Sequence, residues 1–209
     1  MKKILFSFLP LMMCLAGSAQ SFEGVIEFSK ITFSDTVSYK YYVKDLNVRI
    51  EELDKKGNTT GIMLVNPKDK TVKALNTERK LYMMVPNNQP PVMKGKPEVI
   101  KTTTTKEVAG QKCTLWRVKN TEENTEIGYW VAEGKYDFFL PLIKTLNRKD
   151  KLGYYFLSID GNNGVFPFEA TEKSLLRKDV GSLKVSKIEK MKVDPKMFAI
   201  PSDYKKFEK

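Results

Sequence analysis

Five runs of strand-forming residues decide the fold: VSYKYYVK (37–44), NVRIEEL (47–53), TGIMLVN (60–66), TVKALN (71–76) and LYMMV (81–85). Short polar clusters separate them, such as Lys55-Lys56-Gly57-Asn58 and Pro67-Lys68-Asp69-Lys70. The runs recur about every 10 residues, which is the rhythm of an up-and-down antiparallel sheet. This stretch therefore predicts a meander of five strands.

The same rhythm continues on both sides of the meander. It predicts further strands at 22–33, 98–108, 112–120, 125–132, 154–160 and 165–170, and a strand pair over 174–192. One helix is predicted from Leu140 to Leu146, because Phe139, Leu142, Ile143 and Leu146 repeat at helical spacing with Pro141 in the first turn. The segment from Pro86 to Pro97 holds four prolines and is predicted to be a loop or lid.

The first residues predict export. Lys2 and Lys3 precede the apolar stretch from Ile4 to Leu15, and Ala16-Gly17-Ser18-Ala19 offers a cleavage site. We expect residues 1–19 to be a signal peptide and 20–209 to form a single β-rich domain. An apolar stretch of about 12 residues is too short for a bilayer core that needs roughly 20. Cys14 follows Met13 rather than a small residue, which favours soluble export over a lipid-anchored form. We expect the periplasm as the destination, with secretion as the alternative.

The residue types restrict the chemistry. The chain has no histidine, which excludes Ser-His-Asp and Cys-His catalysis and His-ligated zinc. Cys113, in an alternating strand, is expected to be a core residue. We therefore expect no enzyme, no catalytic residues, no metal site and no cofactor. A hydrolase built on paired carboxylates stays open as a third hypothesis, although the acidic residues fall in turns or on polar strand faces.

The charge and the aromatic content each admit two interpretations. A net charge of +11 suits an anionic envelope surface better than nucleic acid in an exported protein, while dispersed lysines would equally serve solubility and protect strand edges. The 12 Phe, 9 Tyr and 2 Trp residues could fill a closed sandwich. Alternatively, a sheet curved over helices would leave an apolar groove for a hydrophobic ligand.

Four motifs carry a resemblance: Phe22-Glu23-Gly24-Val25-Ile26, the run from Tyr42 to Glu51, the run from Ala109 to Cys113, and the run from Met197 to Tyr204. The chain resembles an uncharacterised family of exported bacterial envelope proteins. That family is similar in expected fold to the periplasmic lipoprotein carriers of the Lol type. The resemblance implies a mainly β fold, a curved antiparallel half-barrel with one or two short helices on the concave face and an apolar cavity for lipid chains.

Together these observations predict an exported, non-enzymatic protein that binds a lipid or other hydrophobic small molecule in a half-barrel, with a role in envelope lipid or lipoprotein handling. Residues 140–146 would plug the concave face, and residues 86–97 would border its mouth. The alternative is a structural or interaction module of the cell envelope with a filled core. The candidate ligand-lining residues are apolar or aromatic members of strands and the helix: Phe28, Tyr41, Ile62, Leu64, Tyr82, Trp116, Trp130, Phe139, Ile143 and Tyr155.

Overall fold

The computed structural model describes residues 21–86 and 89–208, which build one twelve-stranded sheet. The predicted signal peptide, its cleavage site and Cys14 lie outside these residues. The strands are β1 (Gly24–Thr32), β2 (Thr36–Lys44), β3 (Asn47–Leu53), β4 (Thr59–Asn66), β5 (Thr71–Asn76), β6 (Leu81–Met84), β7 (Glu98–Val108), β8 (Gln111–Asn120), β9 (Thr125–Glu133), β10 (Val165–Lys173), β11 (Asp179–Lys190) and β12 (Lys205–Lys206).

Two antiparallel meanders meet at the centre of this sheet. The strand order is β12-β6-β5-β4-β3-β2-β1-β11-β10-β9-β8-β7, and β1 pairs with β11 to join the halves. Only the short β12 runs parallel to its neighbour β6 among the described strands. Register shifts in the β1–β11, β9–β10 and β7–β8 pairs add local twist, because a bulge bends its strand. The sheet stays open, so the predicted half-barrel of antiparallel strands is confirmed.

Two short helices follow β9 and pack on the concave face. Helix α1 (Phe139–Leu146) buries Phe139, Leu140 and Leu142, and Pro141 lies in its first turn, as the spacing predicts. Asn147 ends the helix in the left-handed conformation (φ 47°), and its N–H donates to the carbonyl of Ile143. Helix α2 (Lys151–Tyr154) follows and leads into a one-turn 3₁₀ helix at Phe156–Ser158.

The predicted strand over 154–160 is therefore wrong. Leu152, Tyr155 and Phe156 are all buried and lie three and four positions apart, which places them on one side of a helical segment. The aromatic residues of this segment favour strands in isolation, but packing against the sheet overrides that preference. The amides of Gly153 and Tyr154 both donate to the carbonyl of Asp150 and begin the helix.

The predicted strand pair over 174–192 is also wrong. This region contains one strand, β11, whose hairpin partner is β10. The turn between them runs from Ser174 to Lys178, where the Ser174 amide donates to the Lys178 carbonyl and Arg177 adopts a positive φ of 66°. After β11, residues Pro195–Phe198 form a 3₁₀ helix.

Each face of the sheet has its own apolar cluster. The main core lies between the concave face and the helices, and it includes Tyr129, Phe156 and Phe168, which are fully buried. A smaller cluster on the opposite face is covered by the C-terminal segment and comprises Ile62, Leu64, Leu75, Tyr82, Ile200 and Tyr204. The guanidinium of Arg49 donates to the Met197 carbonyl (3.3 Å) and helps hold that segment in place.

Candidate functional site

A cavity of about 390 Å³ lies between the concave face and the helices. Strands β1 to β4, β10 and β11 supply its floor, helices α1 and α2 supply its roof, and residues 90–93 supply one side. Most of its lining is apolar: Phe28, Ile50, Met63, Pro90, Pro91, Met93, Phe139, Ile143, Leu146, Leu152, Leu157, Pro167, Ala170 and Leu183.

The periodicity of the elements explains which side chains reach the cavity. Successive strand residues point to opposite faces, so Phe28 and Lys30 on β1 both line the cavity, as do Tyr39 and Tyr41 on β2. On β4 the same rule turns Met63 inward. On α1, Phe139, Ile143 and Leu146 share one side of the helix and face the sheet.

An aromatic group forms the floor of the cavity. The ring of Phe28 packs edge-on against Tyr41, with centroids 4.7 Å apart, and stacks on Tyr39 at 5.3 Å. Burial raises the pKa of both tyrosine hydroxyls above the usual value of 10.0. Both hydroxyls therefore stay neutral at physiological pH and can donate or accept a hydrogen bond toward a ligand.

Charged groups gather at one end of the cavity. Lys30 Nζ lies 2.8 Å from Asp150 Oδ2, and both residues line the cavity wall. Arg148 lines it as well, and one of its guanidinium nitrogens donates to the sulfur of Met63 at 2.9 Å. Within the described residues no carboxylate forms an ion pair with Arg148. The cavity is thus apolar along most of its wall and cationic at one point of its rim.

Glu123, in the turn between β8 and β9, joins two walls of the cavity. Its carboxylate accepts hydrogen bonds from the Lys94 amide (2.8 Å) and from the hydroxyls of Tyr155 (2.8 Å) and Tyr154 (3.1 Å). Lys151 Nζ lies 3.6 Å away. The Lys94 amide bond, with the tyrosine hydroxyls and Lys151, holds the pKa of Glu123 below 4.5 against the opposing effect of burial. A charged carboxylate therefore links the loop before β7 to the helices.

The candidate lining residues named from the sequence divide into three groups. Phe28, Tyr41, Phe139 and Ile143 line the cavity. Ile62, Leu64 and Tyr82 belong to the cluster on the opposite face, because they alternate with the inward-pointing positions of their strands. The remaining three lie elsewhere around the core: Trp116 beneath the ammonium of Lys101 (4.1 Å), Trp130 beneath that of Lys106 (4.3 Å), and Tyr155 bonded to Glu123.

Several lining residues were not named from the sequence. Met63, Leu152, Leu183 and Arg148 also contribute to the wall. The helical spacing of Leu152 with Tyr155 and Phe156 is the one signal that would have pointed to the roof. Nothing in the sequence of β4 tells which of its two apolar faces is concave.

Other kinds of site find little support in the described part of the chain. No group of three or more His, Cys, Asp or Glu residues there has the arrangement to hold a metal ion. Among the same residues, no helix combines enough length and apolar character to cross a bilayer. Cys113 is fully buried, and burial raises the pKa of its thiol to about 11, so the reactive thiolate is scarce.

The sequence and the fold each have relatives. The family model described as a domain of unknown function, DUF4412, matches residues 22–204, the span covered by the four motifs. No curated protein matches the sequence. A solved structure of an uncharacterized conserved protein from Thermus thermophilus is similar over 90% of this chain and 90% of its own, with 8% identity and a TM-score of 0.56. At that identity the likeness concerns the fold alone.

Two further solved structures are similar at lower scores. The MucA/MucB complex of Pseudomonas aeruginosa matches over 88% of this chain and 56% of that chain, with 10% identity and a TM-score of 0.49. A putative outer membrane lipoprotein-sorting protein domain from Vibrio parahaemolyticus matches over 84% of this chain and 87% of that chain, with 10% identity and a TM-score of 0.24. Neither likeness is close enough to bear on function.

Proposed function

Since the chain belongs to the DUF4412 family of domains of unknown function, we propose its role from its own sequence and geometry. We propose an exported, non-enzymatic protein that holds a hydrophobic or lipid-like ligand in the half-barrel. The cavity of about 390 Å³ carries the proposal. Small-molecule sites are commonly apolar concavities of roughly 300–1,000 Å³ with a few placed polar groups. The concave face matches that description in size and in lining.

The lining favours an amphiphile over a uniformly apolar molecule. A hydrocarbon chain would pack between Phe28 and the inner side of α1, where burial contributes about 25 cal/mol per Å² of apolar surface. An anionic head group would lie at the rim beside Arg148, with the Tyr39 and Tyr41 hydroxyls within the same wall. A ligand of this kind suits a role in envelope lipid or lipoprotein handling, which we propose together with export.

The alternative, an envelope interaction module with a filled core, requires side chains to occupy the space between sheet and helices. The open volume beside Gly153 weighs against it. Gly153 lines the cavity, and a Cβ built on it meets no heavy atom within 4 Å. That position also offers a clean way to close the cavity, because its backbone is helical and its φ is not positive, so alanine or tryptophan fits there without backbone strain.

The test compares wild type with Gly153→Trp and Gly153→Ala. Native mass spectrometry of protein recovered from expressing cells should show a ligand-bound mass in wild type and Gly153→Ala. A fluorescent fatty-acid probe should bind both of these proteins and be displaced by unlabelled fatty acid. Gly153→Trp should lose the bound mass and bind the probe at least tenfold more weakly. A ligand-free wild type that binds no probe would refute the proposed function.

A further inference from the structure

Two neighbouring hairpin tips expose large apolar side chains. Phe33, in the turn between β1 and β2, is 93% exposed, and Leu176, in the turn between β10 and β11, is 88% exposed. Beside them, Ile31 and Val180 are each about half exposed. Isolated exposed apolar residues are common on proteins, but a group of them on adjacent tips indicates a surface that is covered in use.

The sheet topology brings the two tips together. β1 pairs with β11, and the pairs Ile31↔Ser182 and Thr32↔Gly181 lie at the last residues of β1. The strands run in the order β2-β1-β11-β10, so the two turns are two strand spacings apart, or about 10 Å. Both tips therefore project from the same end of the strands.

Lysine and arginine side chains lie beside these tips. Arg177 and Lys178 follow Leu176 directly, and Lys55 and Lys56 lie in the β3–β4 turn at the same end of the strands. Arg177 is largely exposed even though a guanidinium nitrogen lies 3.5 Å from Glu126. Three acidic residues lie at the same strand ends: Asp35 in the β1–β2 turn, Asp54, whose carboxylate is hydrogen-bonded within the β3–β4 turn, and Asp179, which pairs with Lys173. Protruding apolar side chains with lysine and arginine beside them have the composition of segments that enter an anionic membrane interface.

We propose that the Phe33 and Leu176 tips form a docking surface for a bilayer that contains anionic lipid. The apolar side chains would enter the acyl boundary, while the neighbouring cations lie at the level of the lipid phosphates. A bilayer suits this surface because narrow tips can enter the fluid head-group region. A protein partner would instead need a matching concavity for each tip.

The docking surface lies on the same side as the charged end of the cavity. Lys30, which lines the cavity, is three residues from Phe33, and its partner in β11 is Leu183, which also lines the cavity. A lipid leaving the membrane at the tips would therefore have a short path to the cavity. This last step rests on the proposed function, whereas the docking itself does not.

The experiment measures co-sedimentation with vesicles of phosphatidylcholine alone and of phosphatidylcholine with phosphatidylglycerol as about a third of the lipid. Wild type should bind the anionic vesicles at least tenfold more strongly, and the binding should weaken in about 0.5 M salt, where the Debye length is roughly 4 Å. Phe33→Ser and Leu176→Ser should each reduce binding about tenfold, and the double variant should reduce it roughly a hundredfold.

The matched control is Leu46→Ser in the β2–β3 turn, at the opposite end of the strands. Leu46 is 38% exposed. It should change vesicle binding less than twofold. Intact mass should show the same N-terminus in all variants, and their melting temperatures should agree. Differences in vesicle binding then reflect the substituted tip residues. Wild-type affinity in the double variant, or equal loss in the control, would overturn the docking surface. Gly153→Trp should still bind vesicles, which separates this result from failure of the cavity.

Discussion

Replacing Glu123 is expected to loosen two walls of the cavity at once. The side chain is mostly buried, with 12% of its surface exposed, and its carboxylate receives the Lys94 amide and the hydroxyls of Tyr154 and Tyr155. These contacts connect residues 93–95, which approach the cavity at Met93, to helix α2 and the residue after it. One carboxylate therefore ties the two segments together.

The size of the effect follows from what each partner does after the carboxylate is removed. A hydrogen bond to a charged group contributes about 1.5–3 kcal/mol net. Without the carboxylate, the Lys94 amide and the partly exposed Tyr154 hydroxyl can donate to water, whereas the hydroxyl of the fully buried Tyr155 loses its acceptor. One bond therefore dominates, and we expect Glu123→Ala to lower the free energy of unfolding by about 2 kcal/mol. Glu123→Gln keeps one acceptor and should cost about 1 kcal/mol.

Urea unfolding followed by circular dichroism measures this loss. With a denaturant dependence of about 2 kcal/mol per M, the midpoint of Glu123→Ala should fall by about 1 M. Glu122→Ala removes the same charge from the same turn, but Glu122 is exposed, so its free energy of unfolding should change by less than about 0.5 kcal/mol. Equal effects at the two positions would refute the role assigned to the Glu123 contacts.

The pH dependence has a definite sign. The folded pKa of Glu123 is held below the ordinary 4.5 by the Lys94 amide and the tyrosine hydroxyls, so the unfolded chain binds the proton more readily. Its stabilisation is fully present above pH 4.5 and is lost as the pH falls through the lower folded value. The gap in stability between wild type and Glu123→Gln should therefore narrow below pH 4.5. A gap that widens there contradicts the argument.

Two further substitutions and one labelling experiment test the cavity and its surroundings. Arg148→Gln should weaken binding of a fatty acid about tenfold in a displacement titration, while the fatty alcohol of equal length changes less than twofold, because only the acid has a charge for the guanidinium. Phe28→Ala should lower the free energy of unfolding by about 3–4 kcal/mol in urea, since it removes a buried ring packed on Tyr39 and Tyr41. Cys113 should resist iodoacetamide in the native protein and react after unfolding, as peptide mass spectrometry would record, because its thiol is fully buried.

The strands were predictable because turn residues and alternating side chains are local signals. Helix α1 was predictable for the same reason, since Phe139, Leu142, Ile143 and Leu146 repeat within two turns. The direction of each strand face was not. Ile62 and Met63 are both apolar, so the sequence of β4 does not tell which of them faces the cavity. The C-terminal segment covers the face that carries Ile62, and Met63 therefore faces the cavity. That contact joins residues far apart in the chain, so no local pattern contains it.

The order of the strands also explains why the wall formed by residues 90–95 differs from the others. β6 and β7 are consecutive in sequence but lie near opposite ends of the sheet, and residues 90–93 between them line the open side of the half-barrel. The strand walls are held by ladders of backbone hydrogen bonds and a shared core. This segment is held by polar contacts, in which the Asn120 side chain donates to the Lys94 carbonyl (2.8 Å) and Glu123 accepts from the Lys94 amide.

Local stability follows the number of buried contacts, so this wall should be the least stable part of the cavity. Proline at positions 90 and 91 limits the conformations open to the segment when those polar contacts break, which keeps the entropic cost of re-forming them small. A wall of this kind would let the proposed ligand enter without disturbing the sheet. Amide hydrogen exchange should therefore be faster at residues 92–95 than in β1 or β10, and Glu123→Ala should accelerate it further while leaving those two strands protected.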